Sequence, residues 1–317
     1  MHITHKDIAK FADEVVNLPS THAIKYREQV EDLSNRLDAH IKDNPDYHLK
    51  RMMLSGSLAK RTSLRSISDA DMALYLQSDD APEDMVEFLE WLAEELATLY
   101  PHINARDIEA KTYSVSISFG GNGLDVDVVP IYWLNNAWDG DLVSQDDGSR
   151  LRTNIPQHLE FMEKRHKRHS SDFRQVIRLL KYWVNERKEK DSDFRLKSFM
   201  VELIVAHLAD SGRLSLSNYP EALREFFDYI QMSNLDEVIS FNDFGHGSVT
   251  KQNKPINIFD PVNAKNNIAD QYTQANKDLI LDTALEAAEA IEYALKATTK
   301  DEALRQWRKV FGTAFRV

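Results

Sequence analysis

Apolar residues first recur with a helical period over residues 20–43, where Ile24, Val30, Leu33, Leu37 and Ile41 fall near one face. Ser20 is the candidate N-cap, and Asn44-Pro45 is the expected stop. The period then shortens. Residues 71–76 are short and apolar-rich, residues 113–119 alternate apolar with serine, and residues 124–129 alternate again, so three strands are expected. A helix over 83–99 separates the first two, and Gly120-Gly121-Asn122-Gly123 joins the last two as a hairpin turn. Those glycines lie too far from any helix start to act as a phosphate loop. Beyond Pro156 the helical period dominates. Residues 171–187 place Phe173, Val176, Ile177, Leu180, Trp183 and Val184 on one face, and 198–208, 277–296 and 301–311 are helical as well. The expected class is α+β, with a mixed domain at 1–160 that includes the long first helix and a helical domain at 161–317. No repeat or flexible linker interrupts the chain, so a ligand is expected in the cleft between the domains.

Composition narrows the setting. Of the 317 residues 42% are hydrophobic, which suits a folded globular chain and excludes a disordered one. No apolar run approaches the roughly 20 residues of a membrane span, and the opening Met1-His2-Ile3-Thr4-His5-Lys6-Asp7 lacks the apolar stretch of a secretory signal. The absence of cysteine excludes disulfides and thiolate zinc sites, so a reducing cytoplasm is the expected location. A net charge of −12 argues against coating nucleic acid through the overall field. Residues 160–197 run against that average, with twelve Lys/Arg and seven Asp/Glu. Such a segment suits a polyanion such as a triphosphate, or else a helix with a solvated basic face. His166 and His169, in the basic run 164–169, fit a solvated helix entry better than a metal site.

Three short features carry the chemistry. Gly56-Ser57 follows the apolar Met52-Met53-Leu54; Asp69-Ala70-Asp71 comes after eleven intervening residues and opens a strand; Asp127 lies inside the alternating strand. Side chains at i and i+2 of a strand share a face, so Asp69 and Asp71 project together. Two close carboxylates repel unless a cation lies between them, and a third from a neighbouring strand completes a hard oxygen site for Mg²⁺. Two such ions suit in-line phosphoryl transfer. Gly56 allows a close approach of backbone to phosphate oxygens, and the Ser57 hydroxyl and amide can donate to them. Each feature alone usually means polar alternation or a turn; the ordered set points to a metal-dependent nucleotidyltransferase. Asp125 shares a strand face with Asp127 but is less enclosed by apolar neighbours, and is expected at the rim. Metal would compensate an acid placed as deep as Asp127.

Gly56-Ser57, Asp69-x-Asp71 and Asp127-Val128-Val129-Pro130 resemble the DNA polymerase β-like nucleotidyltransferase superfamily. Arg178-Leu179-Leu180-Lys181-Tyr182-Trp183, followed by Lys197-Ser198-Phe199-Met200-Val201-Glu202, resembles its oligoadenylate synthetase and cGAS-like branch. Asp260-Pro261-Val262-Asn263, Asn266-Asn267 and Trp307-Arg308-Lys309-Val310-Phe311-Gly312 extend the likeness over nearly the whole chain, which is most similar to clade C of the bacterial CD-NTases (cGAS/DncV-like) of CBASS antiphage operons. The resemblance implies a catalytic core with a spine helix, closed over nucleotide by a helical domain. It further implies synthesis of a cyclic oligonucleotide from ATP or other NTPs, with cyclic tri-AMP as the expected product and pyrophosphate released. Two Mg²⁺ ions, with Mn²⁺ as an alternative, are the implied cofactors. Lys181 and Ser198 match positions that hold the donor triphosphate, and Phe199 matches an aromatic that stacks on a base; Lys60 joins Gly56 and Ser57 among the nucleotide-binding candidates. The implied partners are a HORMA-domain regulator, DNA as an activator meeting residues 164–190, and an effector nuclease that responds to the product; no membrane is involved. Independently, Arg174, Arg178, Lys181 and Lys188 recur at helical spacings as a basic ridge expected opposite the apolar stripe. Phe199 can equally be a core residue among Met200, Leu203 and Ile204.

One position departs from the pattern. Many relatives carry glycine or a small residue before the threonine of the Gly-Ser loop, and here Arg61 precedes Thr62. The cysteines of the animal cGAS zinc ribbon are missing as well. The competing functions are a linear oligonucleotide synthase, a nucleotidylating enzyme acting on tRNA or protein, and a scaffold that has lost activity. The intact Asp69, Asp71 and Asp127 argue against the last.

Overall fold

The computed structural model describes residues 2–42, 47–77, 85–120, 124–134, 137–245, 247 and 249–316. The Asn44-Pro45 stop, the start of the helix at 83–84 and Gly121-Asn122-Gly123 of the hairpin turn lie outside the described residues. The chain forms two compact units, Leu18–Glu160 and Met1–Asn17 with Phe161–Val317.

The elements follow in chain order. Helix α1 (His5–Phe11) runs into a short π-helical turn and is followed by α2 (Ser20–Ile41), strand β1 (Leu49–Leu54), the short α3 (Gly56–Lys60), β2 (Asp69–Gln77) and α4 (Met85–Leu99). Then come β3 (Ile108–Ala110), β4 (Val115–Ser118), β5 (Asp125–Trp133), β6 (Gly140–Val143) and β7 (Arg150–Thr153). Helices α5 (Ile155–Lys190), α6 (Ser198–Asp210) and α7 (Tyr219–Ser233) precede the small ladder β8 (Phe259–Asp260) and β9 (Asn263–Asn267), and α8 (Gln274–Lys296) and α9 (Lys300–Phe311) close the chain.

In the first unit seven strands form one sheet with the order β1-β2-β5-β4-β3, extended by β6 on β5 and β7 on β6. Strands β2 and β5 run parallel, in register from Asp69↔Asp125 to Gln77↔Trp133. The other pairs are antiparallel. Alternation sorts β2 into two faces. Ala70, Met72, Leu74 and Leu76 join a core with Val30, Leu33, Leu37 and Ile41 of α2 and Phe88, Leu89, Leu92 and Leu96 of α4. Each fully buried leucine there contributes about 2 kcal/mol through removal from water. The opposite face carries Asp69 and Asp71 at one end and Ala73 and Tyr75, packed with Ile131, at the other. The β2–β5 register therefore sets the acids of both strands side by side at the same end of that face.

Helix α2 differs from its expected form in two respects. The cap is Pro19, with φ −57° and ψ 140°, and Ser20 is the first helical residue, with no side-chain capping bond at that end. Ile24 is 54% exposed while Val30, Leu33, Leu37 and Ile41 are buried. At 3.6 residues per turn Ile24 lies about 120° around the helix from Val30, outside the stripe that the other four share.

The helical unit is built on α5, whose Phe173, Val176, Ile177, Leu180, Trp183 and Val184 are all fully buried. Trp183 meets Phe194 and Phe227 edge-on. The first residues of the chain belong to this unit: Phe11 packs on Tyr182, Phe311 and Phe315. Asn17 exchanges hydrogen bonds with Gln175 at 2.9 and 3.0 Å. The basic ridge is not solvated along its length. Arg174 pairs with Glu163 at 2.8 Å, Arg178 donates to Asn17 at 2.9 Å and Gln175 at 2.7 Å, and Lys181 lies 3.7 Å from Glu202. Of the four, Lys188 alone is exposed at the surface. Apolar and basic residues are both buried because each buried charge has a polar partner, the condition under which burial of a charge is tolerated. The run at 164–169 departs similarly, since Arg165 is buried and bonded to both Asp210 and Asp243. Within α5, Ser170 has φ 67° and breaks the helical geometry.

Candidate active site

The two central strands bring the acids together. Asp71 and Asp127 are register partners across the parallel β2–β5 pair, and Asp69 stands two residues before Asp71 on the same face. One carboxylate oxygen from each of Asp69, Asp71 and Asp127 can be chosen so that all three lie within 4.8 Å of one another. Among the described residues this is the one group of three such ligands that could hold a metal ion. All three donors are hard oxygens, Asp69 is exposed, and Asp71 and Asp127 are half-buried, so the set fits a divalent cation reached from solvent. Asp125, the register partner of Asp69, accepts a 2.6 Å bond from the Ser118 hydroxyl. It stays at the rim of the group, bonded to its own strand neighbour.

The Gly56-Ser57 loop is tied directly to this strand. The amide of Ser55 donates to the carbonyl of Asp71 at 2.8 Å, so α3 starts beside the acids. Gly56 has φ +60°, and a Cβ placed there would stand 2.5 Å from Cγ of Asp71 and closer still to its Oδ2. Glycine is required here because the Asp71 carboxylate fills the space of a side chain. The Ser57 hydroxyl lies 3.1 Å from that of Ser63, and Thr62 donates its amide to the Ser57 carbonyl at 2.9 Å, closing the loop on itself. Lys60 is the last residue of α3 and is half-buried. Arg61 follows as the C-cap with φ 59° and ψ 38°, in the left-handed region where glycine is the usual residue. That backbone accounts for the small residue expected at this position.

One group of the site carried no sequence signal. Lys111, just beyond β3, places its ammonium 2.9 Å from Oδ1 of Asp127. Burial strips some water from this ammonium, yet the bond to Asp127 and the charges of Asp127, Asp69 and Asp125 prevail and hold its pKa above the ordinary lysine value. Lys111 lies 16 residues from Asp127 in an otherwise unremarked segment, so only the β3–β4–β5 antiparallel ladder reveals the pairing.

The geometry has counterparts among known proteins. A cyclic AMP-AMP-AMP synthase of Escherichia coli (strain MS 115-1) is 46% identical over 316 residues, covering 99% of this chain and 98% of that protein. A CBASS oligonucleotide cyclase, CdnC, of Escherichia coli (strain KTE188) is 30% identical, covering 100% and 99%. The chain belongs to the CBASS oligonucleotide cyclase family. It is thus a nucleotidyltransferase that makes a cyclic oligonucleotide, and enzymes of this kind use divalent metals. No family model matches the chain. Solved structures agree with the fold: E. coli MS115-1 CdnC with ATP, 45% identical, superposes with a TM-score of 0.92 over 100% of both chains, and its complex with HORMA-deltaN gives 0.91 over 100% and 99%. No described helix is long and apolar enough to cross a membrane.

The remaining candidates lie in the helical unit. Ser198 opens α6 after the extended Lys197, and Ser198 and Phe199 are both half-buried, so Phe199 is not the fully enclosed core residue that its neighbours Met200, Leu203 and Ile204 are. Lys181 is nearly enclosed, its side chain 7% exposed and that of Glu202 3%. Removing one member of such a pair is more disruptive than removing both. Lys181→Ala is expected to lower unfolding free energy by about 3 kcal/mol, read from the urea midpoint, with Lys181→Met/Glu202→Gln recovering most of it. A change below about 1 kcal/mol would mean that the pair does not hold this part of α5.

Proposed function

We propose that this enzyme joins ATP into cyclic tri-AMP with release of pyrophosphate, and that Asp69, Asp71 and Asp127 are its catalytic and metal-holding residues. The observation that carries the reading is the convergence of these three carboxylates on one face of β2–β5 beside the Gly56-Ser57 loop. The similarity to a cyclic AMP-AMP-AMP synthase and to a CdnC solved with ATP supports the substrate and the product.

In each of the three joining steps a ribose hydroxyl of one nucleotide attacks the α-phosphorus of the next. The new P–O bond forms as the bond to the β-phosphate oxygen breaks, and the hydroxyl proton is lost. Asp69, Asp71 and Asp127 would hold two Mg²⁺ ions, or Mn²⁺ in their place, which would supply hydroxyl activation and offset the charge of the leaving pyrophosphate. Asp69 and Asp71, locked at i and i+2 by the strand, hold that charge at fixed separation, and Asp127 closes the set from the adjacent strand. The first amides of α3 have no acceptor inside the helix, so Gly56 and Ser57 can donate to triphosphate oxygens, with Lys60 beside them. In the helical unit Lys181 and Ser198 are assigned to the donor triphosphate and Phe199 to the base. Residues 18–160 form the nucleotidyltransferase core, and residues 161–317 form the helical domain together with residues 1–17, which the sequence alone grouped with the core. The reaction is assigned to the cytoplasm. A HORMA-domain protein is the proposed regulator, on the strength of the CdnC:HORMA-deltaN complex.

Incubation with each α-labelled NTP and Mg²⁺, with and without a HORMA partner and duplex DNA, followed by phosphatase, tests the reading. Label from ATP alone should survive phosphatase as one species with the mass of three AMP molecules minus three waters. A resistant product that requires another base would replace the substrate assignment. The absence of any resistant product under all conditions would remove the cyclase reading.

A further inference from the structure

Three carboxylates within 4.8 Å of one another form a concentration of negative charge that a folded protein must offset. This chain supplies an offset of its own. The Lys111 ammonium bonds Oδ1 of Asp127 at 2.9 Å, on one of the three carboxylates of the group and not on a bystander acid. Asp125, whose charge also acts on Lys111, accepts a 2.6 Å bond from the Ser118 hydroxyl.

The attachment of Lys111 differs from that of the acids. Its amide donates to the Ser114 carbonyl at 2.7 Å, which pins the backbone at the end of β3. Its side chain is 43% exposed, whereas that of Asp127 is 16% exposed. The anchor is fixed while the flexible four-carbon arm has open solvent beside it. An arm of this kind can leave the carboxylate without any movement of the sheet. A divalent ion bound by Asp127 would oppose an ammonium at hydrogen-bond distance from the same carboxylate, so the two cations compete.

The geometry points to Lys111 as a tethered cation that occupies the carboxylate group in the metal-free enzyme and is displaced when metal binds. Lys111 then sets the metal concentration at which the site loads. This rests on the reading of Asp69, Asp71 and Asp127 as a metal site, and the experiment separates the two.

Binding of Mn²⁺ to the full-length protein is measured without nucleotide, by the electron paramagnetic resonance signal of free Mn²⁺. Wild type, Lys111→Met and Asp69→Asn/Asp71→Asn are compared. Loss of one charge-assisted contact that metal must break corresponds to about a tenfold change in affinity. Lys111→Met is expected to bind Mn²⁺ about tenfold more tightly than wild type, and to melt at a lower temperature when metal-free. In wild type carrying lysine labelled at ¹³Cε, the Lys111 signal should move toward that of an exposed lysine on addition of Mg²⁺; this reading needs no variant to fold. Binding by Lys111→Met that is unchanged or weaker, or a Lys111 signal that ignores Mg²⁺, overturns the displacement. If wild type and the double variant bind Mn²⁺ equally poorly, the metal-site reading itself falls, and the displacement with it.

Discussion

Asp69→Asn/Asp71→Asn is expected to abolish formation of phosphatase-resistant product while leaving the protein folded. The two side chains lie at one end of β2, on the face away from the large core; Asp69 is exposed and Asp71 half-buried. Asparagine preserves their shape, so the packing of Ala70, Met72, Leu74 and Leu76 is untouched. The substitution removes two of three negative charges from the group proposed to hold the metal ions. Residues that act as one unit typically cost several orders of magnitude in rate when any is lost. Stability should hold or rise slightly, because two like charges are withdrawn from a crowded site. Turnover under saturating nucleotide, together with the melting temperature, separates the two effects. Residual activity above about one part in a hundred would place the chemistry elsewhere.

The contrast between the two strands and the first long helix explains which parts of the fold were legible. Residues 71–76 are readable as a strand from a short apolar-rich run, and 124–129 from period-2 alternation, which survives in a strand with one buried face. Their parallel pairing is not, since register depends on partners distant in sequence. β3, β6 and β7 span only three or four residues and β1 does not alternate, whereas α7 does carry a helical period in Tyr219, Ala222, Leu223, Phe226, Phe227 and Ile230 that the sequence reading passes over. Helix α8 starts three residues before its apolar pattern does, because Thr273 and Asn276 form a capping box ahead of the apolar run. The triad was readable as an ordered motif, whereas Lys111 was not, because a lone lysine has no pattern. The basic ridge shows the opposite failure. Helical spacing grouped Arg174, Arg178 and Lys181 correctly, but spacing cannot tell a solvated face from one covered by Glu163, Asn17, Gln175 and Glu202.

Gly56 shows how a residue can be singled out for one reason and required for another. The sequence suggests a close approach of backbone to phosphate, while the structure adds a carboxylate already in the way. In Gly56→Ala the new methyl would stand 2.5 Å from Cγ of Asp71 and closer to Oδ2, which no alanine tolerates without movement. The backbone there has φ +60°, which for a residue with a Cβ costs about 1–2 kcal/mol. The loop cannot simply retreat, because Ser55 is bonded to the Asp71 carbonyl and Thr62 to the Ser57 carbonyl. The softest response is rotation of the Asp71 carboxylate away from Asp69 and Asp127. Displacing a reacting or metal-holding group by about 1 Å is worth roughly a hundredfold in rate. Gly56→Ala is therefore expected to lose about a hundredfold in turnover and roughly 1–2 kcal/mol of stability, with Mn²⁺ affinity falling in parallel. Because the carboxylate and not the phosphate is the first casualty, the metal-binding defect should be present before any nucleotide is added. An alanine variant with normal Mn²⁺ affinity and impaired ATP binding alone would return Gly56 to the phosphate-approach role.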